Sequence, residues 1–162
     1  HYLMGIPLVG AHMQVLLQVY RDAWTSAEHP GRGKVMLAFH MLCADSRAKA
    51  AAIARAPLNQ YLKSIVNAAS GWLSGVSSRD YPNYQKMIQA ISEETFESQV
   101  EKGAAWIGTP EDIRSAIANY DREVGGFESA SLQVNFGMIS RAEAEESMRL
   151  FAREVMPHFA RG

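Results

Sequence analysis

The 162-residue sequence has one cysteine, no excess of charge of either sign and no long apolar run. The lone Cys43 cannot form an internal disulfide. It sits in an apolar stretch with no neighbouring base in sequence, so it reads as a small buried hydrophobe in a reducing compartment rather than a reactive thiol. Lys plus Arg number 16 against 17 Asp plus Glu, which leaves no overall field to draw in nucleic acid or an anionic membrane surface. No apolar run approaches the ~20 residues of a membrane span, and no charged-then-apolar leader opens the chain, so cytoplasm is the expected location. No second histidine or acid stands at ligand spacing from His40, so a metal role for it is not expected. An initiator methionine is also lacking: His1-Tyr2-Leu3-Met4-Gly5 enters an apolar pattern at once, as if cut from something longer.

What is present is apolar substance, 48% of the residues, enough for one sizeable core. Ile6-Pro7-Leu8-Val9-Gly10 reads as a short buried strand, with Pro7 placed where no ladder donor is needed. Met13, Leu16, Leu17, Tyr20 and Trp24 then recur at the spacing of one helical face. After the breaker His29-Pro30-Gly31-Arg32-Gly33 comes Val35 to Cys43, apolar almost without interruption, which implies a strand of a parallel sheet buried on both faces. Ser46 caps a helix that Pro57 is expected to kink or restart. From Gly71 to Tyr84 turn formers and aromatics dominate, with short helices expected near Tyr84–Ile91 and Glu93–Val100.

The stretch Trp106-Ile107-Gly108-Thr109-Pro110-Glu111-Asp112-Ile113 holds a chain reversal and a helix start. Thr109 is the N-cap, Pro110 takes the first helical position where its missing donor costs nothing, and Asp112 completes a capping box. Glu111 and Asp112 would repel a phosphate from that helix end, so a structural joint is favoured over an anion site. Ser129–Phe136 reads as a third strand. Ser140-Arg141-Ala142-Glu143 opens a last helix, which Pro157 ends. Three strand–helix units in this order require parallel crossovers and leave sheet edges that need partners.

The run from Trp106 to Gly137, followed by "AEAEESMRLFAREVMPHF", resembles the carboxyl-terminal end of the bacterial luciferase-like flavin-dependent monooxygenases. Gly5-Ile6-Pro7-Leu8, Tyr20-Arg21 and Met41 to Ser46 are similar to that family's Gly-x-Pro strand, Tyr-Arg helix and Ala-Asp-Thr strand end. The resemblance implies an α/β fold in which residues 1–162 are the last three βα units of a TIM-type (β/α)8 barrel, with an insertion before the penultimate barrel helix. It implies reduced FMN as cofactor, a flavin reductase to deliver it, dioxygen, an organic substrate and a homodimer. It also implies that the amino-terminal half of the barrel, with the family's phosphate-holding Ser-rich loop, lies outside this chain. A deazaflavin-dependent hydride-transfer enzyme is the alternative on the same scaffold, and a non-catalytic half-barrel that binds flavin or pairs its edges is a third reading.

Within that frame His40 is the one ionisable group of its apolar strand. It lies near the carboxyl end, where barrel enzymes carry their chemistry. It either lines the cavity or is a buried neutral histidine satisfied by a hydrogen bond. Ser131, Gln133 and Asn135 alternate with apolar residues in the last strand, and Asn135 is best placed to meet flavin or substrate; a polar layer inside the barrel is the competing reading, favoured for Gln133. Gly10, Ala11 and His12 follow the first strand, where the family brings backbone close to the flavin ring, though small residues also make a tight turn. Residues 71–101 correspond in position to the family's mobile lid, whose closure would shield a reactive flavin from water; Trp72, Arg79, Tyr81 and Tyr84 are its candidate contacts.

Overall fold

The unbroken apolar run from Val35 to Cys43 becomes a ten-residue strand, β2 (Lys34–Cys43), and every other strand is hydrogen-bonded to it. The computed structural model describes residues 2–7, 12–73 and 84–160. In chain order these form β1 (Tyr2–Gly5), α1 (His12–Ser26), β2, α2 (Arg47–Leu73), α3 (Tyr84–Ser92), α4 (Phe96–Glu101), β3 (Ala105–Gly108), α5 (Pro110–Glu123), β4 (Ser129–Gln133) and α6 (Arg141–Glu154), followed by a 3-10 turn at Met156–His158.

All pairings are parallel. Met36 and Leu37 pair with both β1 and β4, and His40 pairs with both β3 and β4. A residue in a parallel ladder turns its own N–H and C=O to one side, so two partners of one residue must lie on opposite edges. Strand β4 therefore runs along one edge of β2, while β1 and β3 follow one another along the other.

Both faces of the sheet are covered. On one, His40, Leu42, Ala105, Ile107 and Phe136 meet Ala54, Leu58 and Leu62 of α2, Ile88 and Ile91 of α3, and Phe96 of α4. On the other, Leu37, Phe39, Met41 and Trp106 meet Met13 and Leu17 of α1, Ile113, Ile117 and Tyr120 of α5, and Phe151 of α6. Phe39 stacks on Trp106 with ring centroids 3.9 Å apart and meets the Tyr120 ring edge-on at 5.2 Å. Such burial of two strand faces is what the non-alternating apolar run demanded.

Several expectations change. There are four strand–helix units among the described residues rather than three, because Ala105–Gly108 is a strand. At four residues it is too short to show a period, and the turn signals after it masked it. The first strand is Tyr2–Gly5, not Ile6–Gly10; Ile6 and Pro7 fall beyond its end, and Leu8, Val9 and Gly10 lie outside the described residues. The last strand stops at Gln133, short of Phe136. Helix α2 continues through Pro57 without restarting, held by the apolar file Ala50, Ala54, Leu58 and Leu62 against the sheet. The face expected to be an open lumen is covered by α2, α3 and α4. Of the 71–101 segment, residues 84–101 are two helices packed on α2, with Tyr84 partly buried against them; Arg79 and Tyr81 lie outside the described residues, as does the Trp72 side chain.

The Tyr20-Arg21 pair acquires a role. Helix α5 gives way after its C-cap Val124 to Gly125-Gly126, both at positive φ (71° and 96°), and the carbonyls of this turn need donors. Arg21 supplies them from α1, donating from Nη1 to the Val124 oxygen at 3.2 Å and from Nη2 to the Gly126 oxygen. Arg32 donates to the Gly125 oxygen between them. Charge-assisted bonds of this kind contribute about 1.5–3 kcal/mol each. Arg21→Ala is expected to lower the unfolding free energy by about 2 kcal/mol in urea titration, and Arg21→Lys to recover less than half of that, because an ammonium lacks the fork that reaches two carbonyls.

Candidate functional site

In a parallel sheet the helices that follow the strands begin at the strands' carboxyl ends, so loops and helix N-termini gather along one rim where ligands bind. Here the rim is built from the ends of β2 (Cys43), β3 (Gly108) and β4 (Gln133) and from the starts of α2, α5 and α6.

Each helix start is closed by its own side chains. Thr109 Oγ1 accepts from the Asp112 N–H at 3.3 Å, and Asp112 Oδ2 accepts from the Thr109 N–H at 3.1 Å, the reciprocal box read from the sequence. Ser140 and Glu143 repeat it on α6, at 3.2 and 3.0 Å. A third box, Thr95 with Ser98, opens α4 and carries Ser in place of the acid that marks the other two. The rim's cations are spent on neighbours. Arg47 grips the Asp112 carboxylate from Nε at 3.0 and 2.9 Å and also from Nη2. Lys49 meets Glu146 at 2.8 Å and Asp45 at 3.6 Å. The Arg47 hydrogen bonds, with those from Thr109, hold the Asp112 carboxyl well below the usual carboxylate range despite partial burial. Gly108 has no side chain where a Cβ would stand 2.9 Å from the Asp112 Cβ, so the joint packs tightly.

Cys43 ends β2 fully inside. Its N–H donates to Ser147 Oγ of α6 at 2.8 Å, and desolvation first, then the Glu154 charge, pushes its thiol up to about 11. That is an inert thiol, as its sequence neighbourhood suggested. Ser147, buried and bridging α6 to the sheet, had no sequence signal beyond being polar in an apolar helical register.

His40 lies three residues before the end of β2, 2% exposed. The Tyr61 ring stands edge-on to it at 4.5 Å and the Phe136 ring at 5.0 Å. Its Nε2 has no hydrogen-bond partner among the described residues. Burial alone pulls its pKa down to about 4, so the imidazole is neutral near pH 7. Asn135 lies beyond the end of β4, exposed to solvent, two residues from His40's register partner Gln133. The structure thus brings His40 and Gln133 side by side on one face but does not bring Asn135 to them. Gly10 and Ala11 lie outside the described residues; His12 begins α1, and its side chain is not described. No group of three or more His, Cys, Asp or Glu side chains is arranged to hold a metal among the described residues, and no described helix is long and apolar enough to cross a membrane.

A groove of about 660 Å³ follows the outer edge of β3, between α4 and α5. Glu101, Glu111, Glu123 and Asp112 line it, with Arg47 and Lys102. Both cations are already paired, to Asp112 and Glu94. A flavin mononucleotide needs unspent donors for its phosphate. The acid-capped starts of α5 and α6, the neutralised rim and this acidic groove do not supply them. The described residues therefore do not by themselves fit an FMN phosphate.

No family profile matches the sequence, and no curated protein matches it either. Solved structures do. The chain is similar to the monooxygenase RslO1 of Streptomyces bottropensis, at 24% identity and TM-score 0.64 over 98% of this chain and 41% of that one. It is similar to the oxygenating constituent of 3,6-diketocamphane monooxygenase of Pseudomonas putida, a type II Baeyer-Villiger monooxygenase solved with FMN, at 17% identity and TM-score 0.65 over 96% of this chain and 42% of that one. A riboflavin lyase solved with modified FMN and riboflavin matches at 17% identity and TM-score 0.52, over 98% of this chain and 37% of that one. At these identities the likeness shows a shared α/β fold, and the chain spans about two fifths of the length of the structures it matches.

The buried histidine generates a pH dependence. A group with its folded pKa lowered from 6.5 to about 4 takes up a proton in the unfolded chain first, so stability falls as pH drops from about 6.5 toward 4. At about 1.4 kcal/mol per unit the loss is on the order of 3 kcal/mol. Urea midpoints measured at pH 7, 5.5 and 4.5 are expected to fall steadily in the wild type and to lose most of that slope in His40→Phe. An equal slope in both would show that His40 is not the titrating group.

Proposed function

We propose that this chain is the carboxyl-terminal portion of a flavin-dependent oxidoreductase, a luciferase-like monooxygenase that uses reduced FMN and dioxygen to oxygenate an organic substrate. The observation that carries the reading is the near-complete overlay of the chain on oxygenases, one of them solved with FMN. The ordered motifs support it: the Gly-Thr-Pro-Glu helix start, the last strand and the closing helix follow one another here as in the family the sequence resembles.

In this reading residues 1–162 supply one side of the site, and the phosphate is held by residues outside them. The isoalloxazine supplies the redox chemistry when bound; the protein orients it and excludes water. Gly10, Ala11 and His12, next after the first strand in sequence, are the proposed close approach to the ring, with Asn135 as the exposed polar group beyond β4. His40, buried and neutral, is the proposed polar group of the wall, able to donate or accept a hydrogen bond rather than carry a charge. Residues 71–101 are the proposed lid, a separate reductase the proposed source of reduced flavin, and a homodimer the proposed assembly.

The test is made on the full-length gene product that contains this sequence. Flavin absorbance retained through gel filtration, with oxygen uptake that requires both a flavin reductase and an organic substrate, is the expected result. Binding of deazaflavin without oxygen uptake would move the reading to hydride transfer. Failure to bind either cofactor would leave a non-catalytic half-barrel.

A further inference from the structure

Pro157 cannot extend α6, and the chain folds back through the Met156–His158 turn. One cation docks that turn. Arg114 of α5 donates from Nη1 to the Glu154 oxygen at 3.0 Å, satisfying a carbonyl at the end of α6, and the same Nη1 lies 3.1 Å from His158 Nε2. A guanidinium has donors and no acceptor, so His158 Nε2 is the bare nitrogen that accepts, and the imidazole is neutral with its proton on Nδ1. A protonated His158 cannot make this contact: both of its ring nitrogens would be donors, and two cations would stand 3.1 Å apart.

The surrounding charges do not compensate. On α5 the helical neighbours of Arg114 are Pro110, Glu111, Ile117 and Ala118, so Glu111 is the one other charge on that face. The last two turns of α6 carry Arg149, Arg153 and Glu154, and the Glu154 carboxylate holds Arg153 Nε at 2.8 Å. Among the described residues no carboxylate is paired with Arg114 or His158. A cation at a helix C-terminus is favourable in itself, but Arg114 already occupies that end of α6, so a second charge gains less there than it loses to the guanidinium. We propose that the Arg114–His158 contact is a pH-operated latch on the carboxyl-terminal turn, closed while His158 is neutral and released as pH falls through the range in which histidines take up a proton, about 6.5. Release is local, because Phe151 and Val155 keep the end of α6 anchored in the core beneath the turn. The latch is independent of any cofactor.

Hydrogen exchange of the full-length gene product, read by mass spectrometry on peptides spanning residues 151–160, tests the latch. The turn's own bonds are the reporters: the N–H groups of His158, Phe159 and Ala160 donate to the oxygens of Val155, Met156 and Met156 at 3.1, 3.0 and 3.0 Å. After correction for the pH dependence of intrinsic exchange, their protection is expected to fall about three- to five-fold from pH 7.5 to 5.5, the size that an exposed charge contact supports. His158→Gln, whose amide oxygen can accept from Arg114 and does not titrate, is expected to keep its protection at both pH values. Arg114→Gln is expected to be weakly protected at both. Unchanged protection in the wild type would overturn the proposal. So would an equal fall in His158→Gln, which would assign the effect to His40 or to global opening, or a wild-type fall retained in Arg114→Gln.

Discussion

Strand β2 is the constraint on which the rest of the molecule depends. Among the described residues it is the one long strand, it is buried on both faces from Leu37 to Cys43 apart from Ala38, and the other three strands are joined through it. Because the outer strands are four or five residues long, none has enough ladder to stand alone, and a sheet of such pieces holds together only if one member spans them all. The connections follow from this. Each strand must be parallel to β2, each must therefore be followed by a crossover, and the crossovers must be amphipathic helices that cover the sheet. Helix α2, long and continuous through Pro57, covers the face of His40, while α1 and α5 cover the other with Leu17, Ile113 and Tyr120.

The carboxyl rim of this sheet is electrostatically closed. Two of its helix N-termini hold their own carboxylates, and Arg47 and Lys49 are committed to Asp112, Glu146 and Asp45. Such exposed pairs add little stability singly. Their consequence lies in what they deny: among the described residues no free donor set for an anion remains there. The described residues of the rim thus present apolar wall, strand ends and paired charges, and the neutral His40 lies buried below them. A histidine kept neutral by burial donates or accepts a hydrogen bond without bringing a charge that would need a counter-ion.

Helix α1 shows the same logic at the border. Its buried side, its polar flank with Arg21 clasping α5, and its exposed apolar flank are three distinct surfaces on one helix. The sequence pattern was read as one inward face including Leu16. The structure turns Leu16 outward, because Met13, Leu17 and Tyr20 suffice to cover the β1–β2 end of the sheet.

The sequence by itself determined what is local. The two acid capping boxes, the buried strand from Val35 to Cys43, the helices that follow it and the inert Cys43 were all legible, because each depends on residues within a few positions of one another. The tertiary structure decided what depends on pairing. Strand β3 has four residues and exists because Ala105 to Gly108 lie against His40 to Cys43, more than sixty positions away in the chain. The same is true of the edge each strand occupies, of the helices lying over His40 where a lumen was expected, and of the partners of Arg21 and Arg47. Those are contacts between distant segments, and a single sequence carries the period of each segment but no record of which other segment completes it.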